Sequence, residues 1–170
     1  MSLKVSVERE TPKNISTEEL AEKIEKIKKE KLRSKKIVSL KDFRQATHPH
    51  YLLVVDDDDT TRQAIKRIFE KEGFEVLTAM DGTELVRVLE AHPLKAILLD
   101  IKLPWVDGYE LCKLIKQHDE FKNIPLVFLS GKSSEIDIKR GFAAGCDDYV
   151  TKPFKIDHIK SAIKTLIKLK

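Results

Sequence analysis

From residue 51 onward, apolar residues come in short unbroken runs, each followed by a stretch in which they recur every three or four positions. Runs without polar alternation suit strands buried on both faces, and the wider spacing suits amphipathic helices. The pattern predicts five strands, at 51–55, 75–79, 95–99, 125–129 and 147–151. It predicts helices at 60–72 with Ile65, Ile68 and Phe69 inward, at 82–91 with Leu85, Val88 and Leu89, and at 108–117 with Leu111, Leu114 and Ile115. Two more follow at 133–144 and at 155–169, the last with Ile156, Ile159, Ile163 and Leu166 inward. Strict alternation of strand and helix implies a doubly wound α/β domain, a five-stranded parallel sheet with helices on both faces.

Ahead of this domain, Leu20, Ile24 and Ile27 form one narrow apolar stripe, and Ser16 precedes Glu19 by three residues as in a capping box. A helix over 17–33 follows. Its stripe is shorter than two heptads, so the expectation is a solvated or loosely docked helix, with a dimer or partner contact as the alternative. Residues 34–50, ending in His48-Pro49-His50, read as a linker. The chain thus divides into a basic, partly helical N-terminal extension over 1–50 and a folded domain over 51–170.

Composition removes several function classes. With 41% apolar and 35% charged residues among 170, the chain has the core-forming material that disordered sequences lack. The longest apolar run, five residues at 51–55, is far below the roughly 20 needed to cross a bilayer. No secretory signal is apparent, and two cysteines are too few for a disulfide framework, so a reducing cytoplasm is expected. The net charge of +4 is uneven: 13 basic and 8 acidic residues precede Tyr51, against 19 and 20 from there on. A nucleic-acid footprint would put basic residues on the folded domain itself, so direct nucleic-acid binding is not expected.

In a parallel α/β sheet, ligands gather beyond the carboxyl ends of the strands. The first strand there runs into Asp56, Asp57, Asp58 and Asp59, a crowd of like charges that either splays into water as a cap and turn or is held together by a cation. The third ends in Asp100, followed by a loop containing Pro104 and Asp107-Gly108, where Asp107 can cap the next helix. The fourth ends in Ser130-Gly131 and the fifth leads to Lys152-Pro153-Phe154. Taken singly, these are a capping acid, a turn serine and a surface lysine. Taken together, acids, a hydroxyl and an ammonium at the ends of four strands make a hard-oxygen cation site beside a carboxylate nucleophile. Mg2+ favours such oxygen ligands and bridges carboxylates to phosphate, and lysine and serine complement phosphate oxygens. The five histidines are scattered away from the acids, which argues against a transition-metal site. Cys112 reads as a packing residue and Cys146 as partly exposed.

At these positions the sequence resembles the receiver domain of two-component response regulators, over about residues 51–170. The resemblance rests on Leu53-Val54-Val55-Asp56-Asp57, on Leu98-Leu99-Asp100 with Leu103-Pro104-Trp105-Val106-Asp107-Gly108, on Phe128-Leu129-Ser130-Gly131, and on the stretch from Gly145 through Asp148-Tyr149-Val150-Thr151-Lys152-Pro153-Phe154. It implies a flavodoxin-like strand order 2-1-3-4-5. It further implies Asp100 as phosphoacceptor, Mg2+ held by Asp56, Asp57, Asp100 and the backbone carbonyl of Lys102, Lys152 on the phosphoryl oxygens, and Ser130 and Tyr149 as the switch hydroxyl and aromatic. The implied donor is a histidine kinase or a histidine phosphotransfer protein. The implied response is a re-shaped surface of the fourth domain helix, fifth strand and fifth domain helix, where partners bind.

Lys102 and Lys132, each two residues beyond a site residue, are cations able to screen an acyl phosphate from water, which predicts slow decay. Trp105, the sole tryptophan, is as compatible with packing as with exposure. Asp147 and Asp148 near Lys139 and Arg140 offer a possible homodimer contact. Two rival readings remain open. Asp56-x-Asp58-x-Thr60 resembles the first motif of haloacid-dehalogenase-type phosphatases, with Asp56 as nucleophile and Ser130 and Lys152 as later motifs. That reading leaves Asp100 unexplained, and its usual insertion after the nucleophile is missing. The other rival is a receiver-like module that docks partners without being phosphorylated. No room is expected after the last helix for an output domain, so any effect is expected to pass through protein contacts, the N-terminal segment or a larger protein.

Overall fold

In the computed structural model, residues 15–33 and 49–169 are described. The linker expected at 34–50 falls, except for its last two residues, outside them. Helix α1 spans Thr17–Arg33. Strands β1 (His50–Val55), β2 (Phe74–Ala79), β3 (Leu94–Leu99), β4 (Leu126–Ser130) and β5 (Asp148–Thr151) alternate with helices α2 (Asp59–Glu70), α3 (Gly82–Ala91), α4 (Gly108–Gln117), α5 (Glu135–Ala143) and α6 (Ile156–Leu169). The strands are all parallel, in the order β2-β1-β3-β4-β5. This is the doubly wound, flavodoxin-like topology, with element boundaries within about two residues of those the hydrophobic pattern predicts.

The unbroken apolar runs are explained by a core on each side of the sheet. Leu53, Val55, Ile97, Leu99, Leu126 and Phe128 point to the layer that contains α3 and α4. Their alternate neighbours Leu52, Val54, Ala96, Leu98, Val127 and Leu129 point to the layer of α2 and α6, against Ile65, Phe69, Ile159 and Ile163. Acidic N-caps start the helices. Asp58 accepts from the amides of Thr60 and Thr61, Asp81 from Thr83 and Glu84, and Asp107 from Tyr109. Ser134 caps α5 by accepting from Asp137, which sets its start two residues later than the pattern alone predicts.

Helix α1 forms over the expected residues but docks more closely than expected. Its capping box forms in both directions, with the Glu19 amide donating to Ser16 Oγ at 3.1 Å and the Ser16 amide to Glu19 Oε2 at 3.2 Å. The helix is not a solvated appendage, since Leu20, Ile24 and Ile27 are buried and belong to the same core as α3 and α4. Burying side chains of this size contributes roughly 1.5–3 kcal/mol each by transfer, so even a short stripe anchors a helix when a groove receives it. Cys146 is likewise buried rather than partly exposed, and burial pushes its thiol and that of Cys112 up to about 12. Neither is a reactive thiolate at neutral pH.

On the opposite face, Glu72 ties the turn between α2 and β2 to α6, with Oε1 2.7 Å from Lys160 and Oε2 2.5 Å from Lys164. The two ammonium groups lower its carboxyl to about 2. A carboxyl depressed in the folded state contributes its stability in full above its unfolded value, near 4.5, and loses it as pH falls toward 2. Glu72→Gln is therefore expected to lower Tm at pH 7, with the gap to wild type closing between pH 4.5 and 2 in thermal melts. A gap independent of pH would mean that the side chain acts through packing alone.

Candidate functional site

Two backbone ladders carry the site beyond the strand ends. The Asp100 amide donates to the Val55 carbonyl at 2.8 Å, so the residue after β3 stays in register with β1. The Lys152 amide donates to the Ser130 carbonyl at 2.8 Å and does the same for β4 and β5. Central strands thereby fix the Cα positions of Asp100 and Lys152 before any side-chain contact is made. The peptide between Lys152 and Pro153 is cis.

The four consecutive aspartates separate into different tasks. Asp56 is buried, its Oδ1 accepting from the Asp58 amide at 2.9 Å and its Oδ2 pairing with Lys152 Nζ at 2.8 Å. Asp57 is exposed at the mouth. Asp58 caps α2, and Asp59 pairs with Arg62 at 3.0 Å. Arg62 is itself buried and donates from Nη1 to the Asp56 carbonyl, anchoring the backbone of the acid run. Because Asp58 is committed to the cap and α2 begins at Asp59, there is no insertion of the kind the phosphatase reading requires.

Carboxylate oxygens of Asp56, Asp57 and Asp100 lie within 4.8 Å of one another, the one such cluster of potential metal ligands among the described residues. Lys152 Nζ bridges two of them, 2.8 Å from Asp56 and 3.8 Å from Asp100. Burial raises the Asp100 carboxyl above its ordinary range and the Asp56 charge adds to this, while Lys152 and the amides of Ile101 and Lys102 pull the other way. One lysine against three acids leaves a surplus of negative charge in a partly dry pocket. A small hard cation ligated by oxygen fits that surplus.

Ser130 and Tyr149 sit in an adjoining network. Tyr149 lies inward and buried, its hydroxyl donating to the Lys132 carbonyl at 2.8 Å, and the Lys132 amide donates to Ser130 Oγ at 3.2 Å. The backbone of Lys132 therefore joins the two side chains. Its ammonium stands 5.3 Å from the centre of the Tyr109 ring, and the Arg140 guanidinium stacks over the same ring at 4.3 Å. Arg140 also pairs with Asp107 at 3.2 Å, Lys139 with Glu135 at 2.6 Å, and Asp147 with Lys116 at 2.5 Å. The charges suggested for a homodimer contact are in large part used within the chain.

Several residues that matter here gave no chemical signal in the sequence. A Cβ at Gly108 would stand 2.5 Å from Ile101 Cα and 2.7 Å from the Asp100 carbonyl oxygen, so the loop after β3 folds back on α4 only over a glycine. A Cβ at Gly141 would stand 2.7 Å from the Tyr149 ring, so the inward tyrosine needs that gap in α5. Tyr109, buried against Phe128, reads as one more core aromatic until its cationic neighbours are seen.

Two outcomes follow from this geometry. Asp100→Asn removes one of three crowded carboxylates and is expected to raise Tm at pH 7 by roughly 3 °C, the shift that about 1 kcal/mol produces in a domain of this size. The gain should shrink as pH falls through the raised carboxyl of wild-type Asp100 and vanish below the ordinary value of 3.8, where the group is protonated in both the folded and the unfolded chain. Gly108→Ala forces backbone apart and is expected to lower Tm by several degrees, whereas Gly131→Ala, where nothing lies within 4 Å of the added carbon, should be close to neutral.

Comparison with known proteins agrees with this architecture. The profile of the response regulator receiver domain family matches residues 52–164. Protein PilG of Pseudomonas aeruginosa is 39% identical over 114 residues, covering 66% of this chain and 84% of PilG. The aerobic respiration control protein ArcA of Escherichia coli is 39% identical over 106 residues, 62% of this chain but 43% of ArcA, so the chain spans less than half of that longer regulator. Among solved structures, the receiver domain of a Francisella response regulator is 34% identical with a TM-score of 0.65, covering 70% of this chain and 97% of that one. The receiver domain of a Pseudomonas aeruginosa sensor histidine kinase, with magnesium coordinated in its active site cleft, is 28% identical with a TM-score of 0.64, covering 71% and 98%. The chain belongs to the response regulator receiver domain family and carries a receiver domain of a two-component system.

Proposed function

We propose that Asp100 accepts a phosphoryl group from a histidine kinase or histidine phosphotransfer protein. The observation that carries this reading is the convergence of Asp56, Asp57, Asp100 and Lys152 from three strand ends into one pocket. Asp56, Asp57, Asp100 and the Lys102 carbonyl would hold Mg2+, which when bound supplies charge neutralisation and a template for the phosphate oxygens. An Asp100 carboxylate oxygen attacks phosphorus in line, a P–O bond forms as the P–N bond to imidazole breaks, and the released ring nitrogen keeps the electron pair. Lys152, already poised between Asp56 and Asp100, shifts its ammonium onto the equatorial oxygens. The buried Ser130 hydroxyl then turns toward the phosphoryl group. Because the Lys132 amide donates to that hydroxyl and the Lys132 carbonyl accepts from Tyr149, the movement is felt by the aromatic and by α5.

Ile136, Phe142 and Ile156 are exposed apolar residues on α5 and at the start of α6, a surface suited to a protein partner. Receiver domains are signalling modules, and the proposed chemistry is the chain's own phosphotransfer and slow dephosphorylation, not turnover of a free substrate. No described helix is long and apolar enough to cross a membrane. A cytoplasmic location, and the division into an extension over 1–50 and a receiver over 51–170, belong to the same reading.

Intact-mass spectrometry after incubation with acetyl phosphate and Mg2+ tests it. One added phosphate is expected on wild type, mapped to Asp100, absent without Mg2+ and absent in Asp100→Asn. Lys152→Met should slow its appearance by on the order of 10²-fold. An adduct on Asp56, or none at all, would overturn the assignment.

A further inference from the structure

Helix α1 starts at the edge of the phosphoacceptor loop. The residue before its cap, Ile15, lies on the first residue of α3 and lines a shallow cleft with Trp105. A Cβ at Gly82 would stand 2.5 Å from Ile15 Cδ1 and 3.2 Å from Trp105 Cε3, so both side chains close on the bare face of Gly82. Trp105 is buried, and its Nε1 donates to the Met80 carbonyl at 2.8 Å, tying the loop after β3 to the loop after β2. The loop is closed on itself by the Gly108 amide donating to the Ile101 carbonyl at 3.0 Å and by a bridge between Lys102 and Asp107. Further along α1, Leu20, Ile24 and Ile27 are each no more than 2% exposed and continue the core under α3 and α4. One rigid element therefore runs from that core to the loop that contains Lys102 and Trp105 and begins at Asp100.

We propose that docked α1 is a positioning element for the phosphoacceptor loop, with Ile15 pressing Trp105 into place. This rests on the reading of Asp100 and Mg2+ given above and adds a contribution from outside the receiver's own elements. A loop ordered by α1 loses less conformational freedom when it closes around a cation, so helix docking and cation binding favour each other without any direct contact. The coupling is reciprocal: whatever factor α1 contributes to cation affinity, the cation must contribute to α1 docking. The N-terminal segment is thereby informed of the state of the site on the α3 and α4 side of the sheet, opposite α2 and α6. Gly82 is integral to this arrangement, since a Cβ at the first position of α3 would displace the Ile15 side chain from its present place.

The test uses the full chain with two readouts, the Mg2+ dissociation constant by calorimetry and amide hydrogen exchange along α1 with and without Mg2+. Ile15→Ala removes the wedge, and Ile24→Asp undocks the helix. Ile15→Leu is the conservative rescue, and Val76→Ala, buried in the core on the opposite face, controls for general loss of stability. Both disruptive variants are expected to weaken Mg2+ binding about fivefold or more, Ile15→Leu to stay within about twofold of wild type, and Val76→Ala to lower Tm without changing affinity. In wild type, Mg2+ should slow exchange in α1 by the same factor that the variants lose. Unchanged Mg2+ affinity in Ile24→Asp while its α1 amides exchange freely would overturn the proposal, as would equal weakening by Val76→Ala. If Ile24→Asp does not fold, the wild-type exchange comparison and Ile15→Ala decide the matter. Absence of Mg2+ binding to wild type would overturn the functional reading as well, which separates the two failures.

Discussion

Three carboxylates held within 4.8 Å of one another at the ends of neighbouring strands are the constraint around which this molecule is organised. Like charges at that separation repel, and nothing local in the chain would bring Asp100 to Asp56 and Asp57. The parallel sheet does it, because the ladder between β1 and β3 continues one residue further to the Asp100 amide. The opposing terms are equally structural. Lys152 arrives from β5 through its own ladder bond to Ser130, and the Ile101 amide donates to Asp100 Oδ1 at 2.8 Å. The site is a strained electrostatic balance supported by two hydrophobic layers, and a divalent cation is what would relax it.

On the proposed reading, a signal would leave such a site through backbone rather than through a long side-chain relay. Lys132, two residues ahead of the Ser134 cap of α5, joins Ser130 and Tyr149 by its amide and its carbonyl, so rotation at either end would pull on the lead-in to α5. The side chains of that region hold α5 to α4: Arg140 reaches Asp107 and the Tyr109 ring, and the Tyr109 hydroxyl donates to the Asp137 carbonyl at 3.2 Å. Gly141 leaves room for the inward Tyr149. A change at Ser130 thus meets a packed two-sided contact, the kind of element that moves between discrete arrangements instead of deforming continuously.

The N-terminal helix adds a further layer over the groove between α3 and α4. Its composition is strongly charged, and its apolar stripe alone would not distinguish a free helix from a docked one. What distinguishes them is the receiving surface. Trp105, Gly82 and the adjoining core present a cleft into which Ile15, Leu20, Ile24 and Ile27 fit. The energy lies in the pairing of two patterns that are far apart in the chain.

Much of this molecule was legible in its residue pattern. Unbroken apolar runs dictated strands buried on both faces, and alternation with helical stripes dictated a parallel sheet, since a parallel crossover needs a connecting element of that length. The acids, the serine and the lysine stood out because they follow those runs directly, and periodicity locates strand ends well. The capping box of α1 was equally local, being set by Ser16 and Glu19 three residues apart. Other features depend on which distant residue comes near. The splitting of the Asp56–Asp59 run into buried pocket acid, mouth, cap and ion pair follows from where α2 starts and where Lys152 and Arg62 reach. Gly108 and Gly141 are required by backbone and ring approaches that no local pattern records, and Cys146 and Trp105 are buried because other elements cover them. Local spacing determines which elements form and which side chains face one way. Only the tertiary structure decided which charges share a pocket and which apolar stripes find a partner, because both are set by short-range contacts between residues remote in sequence.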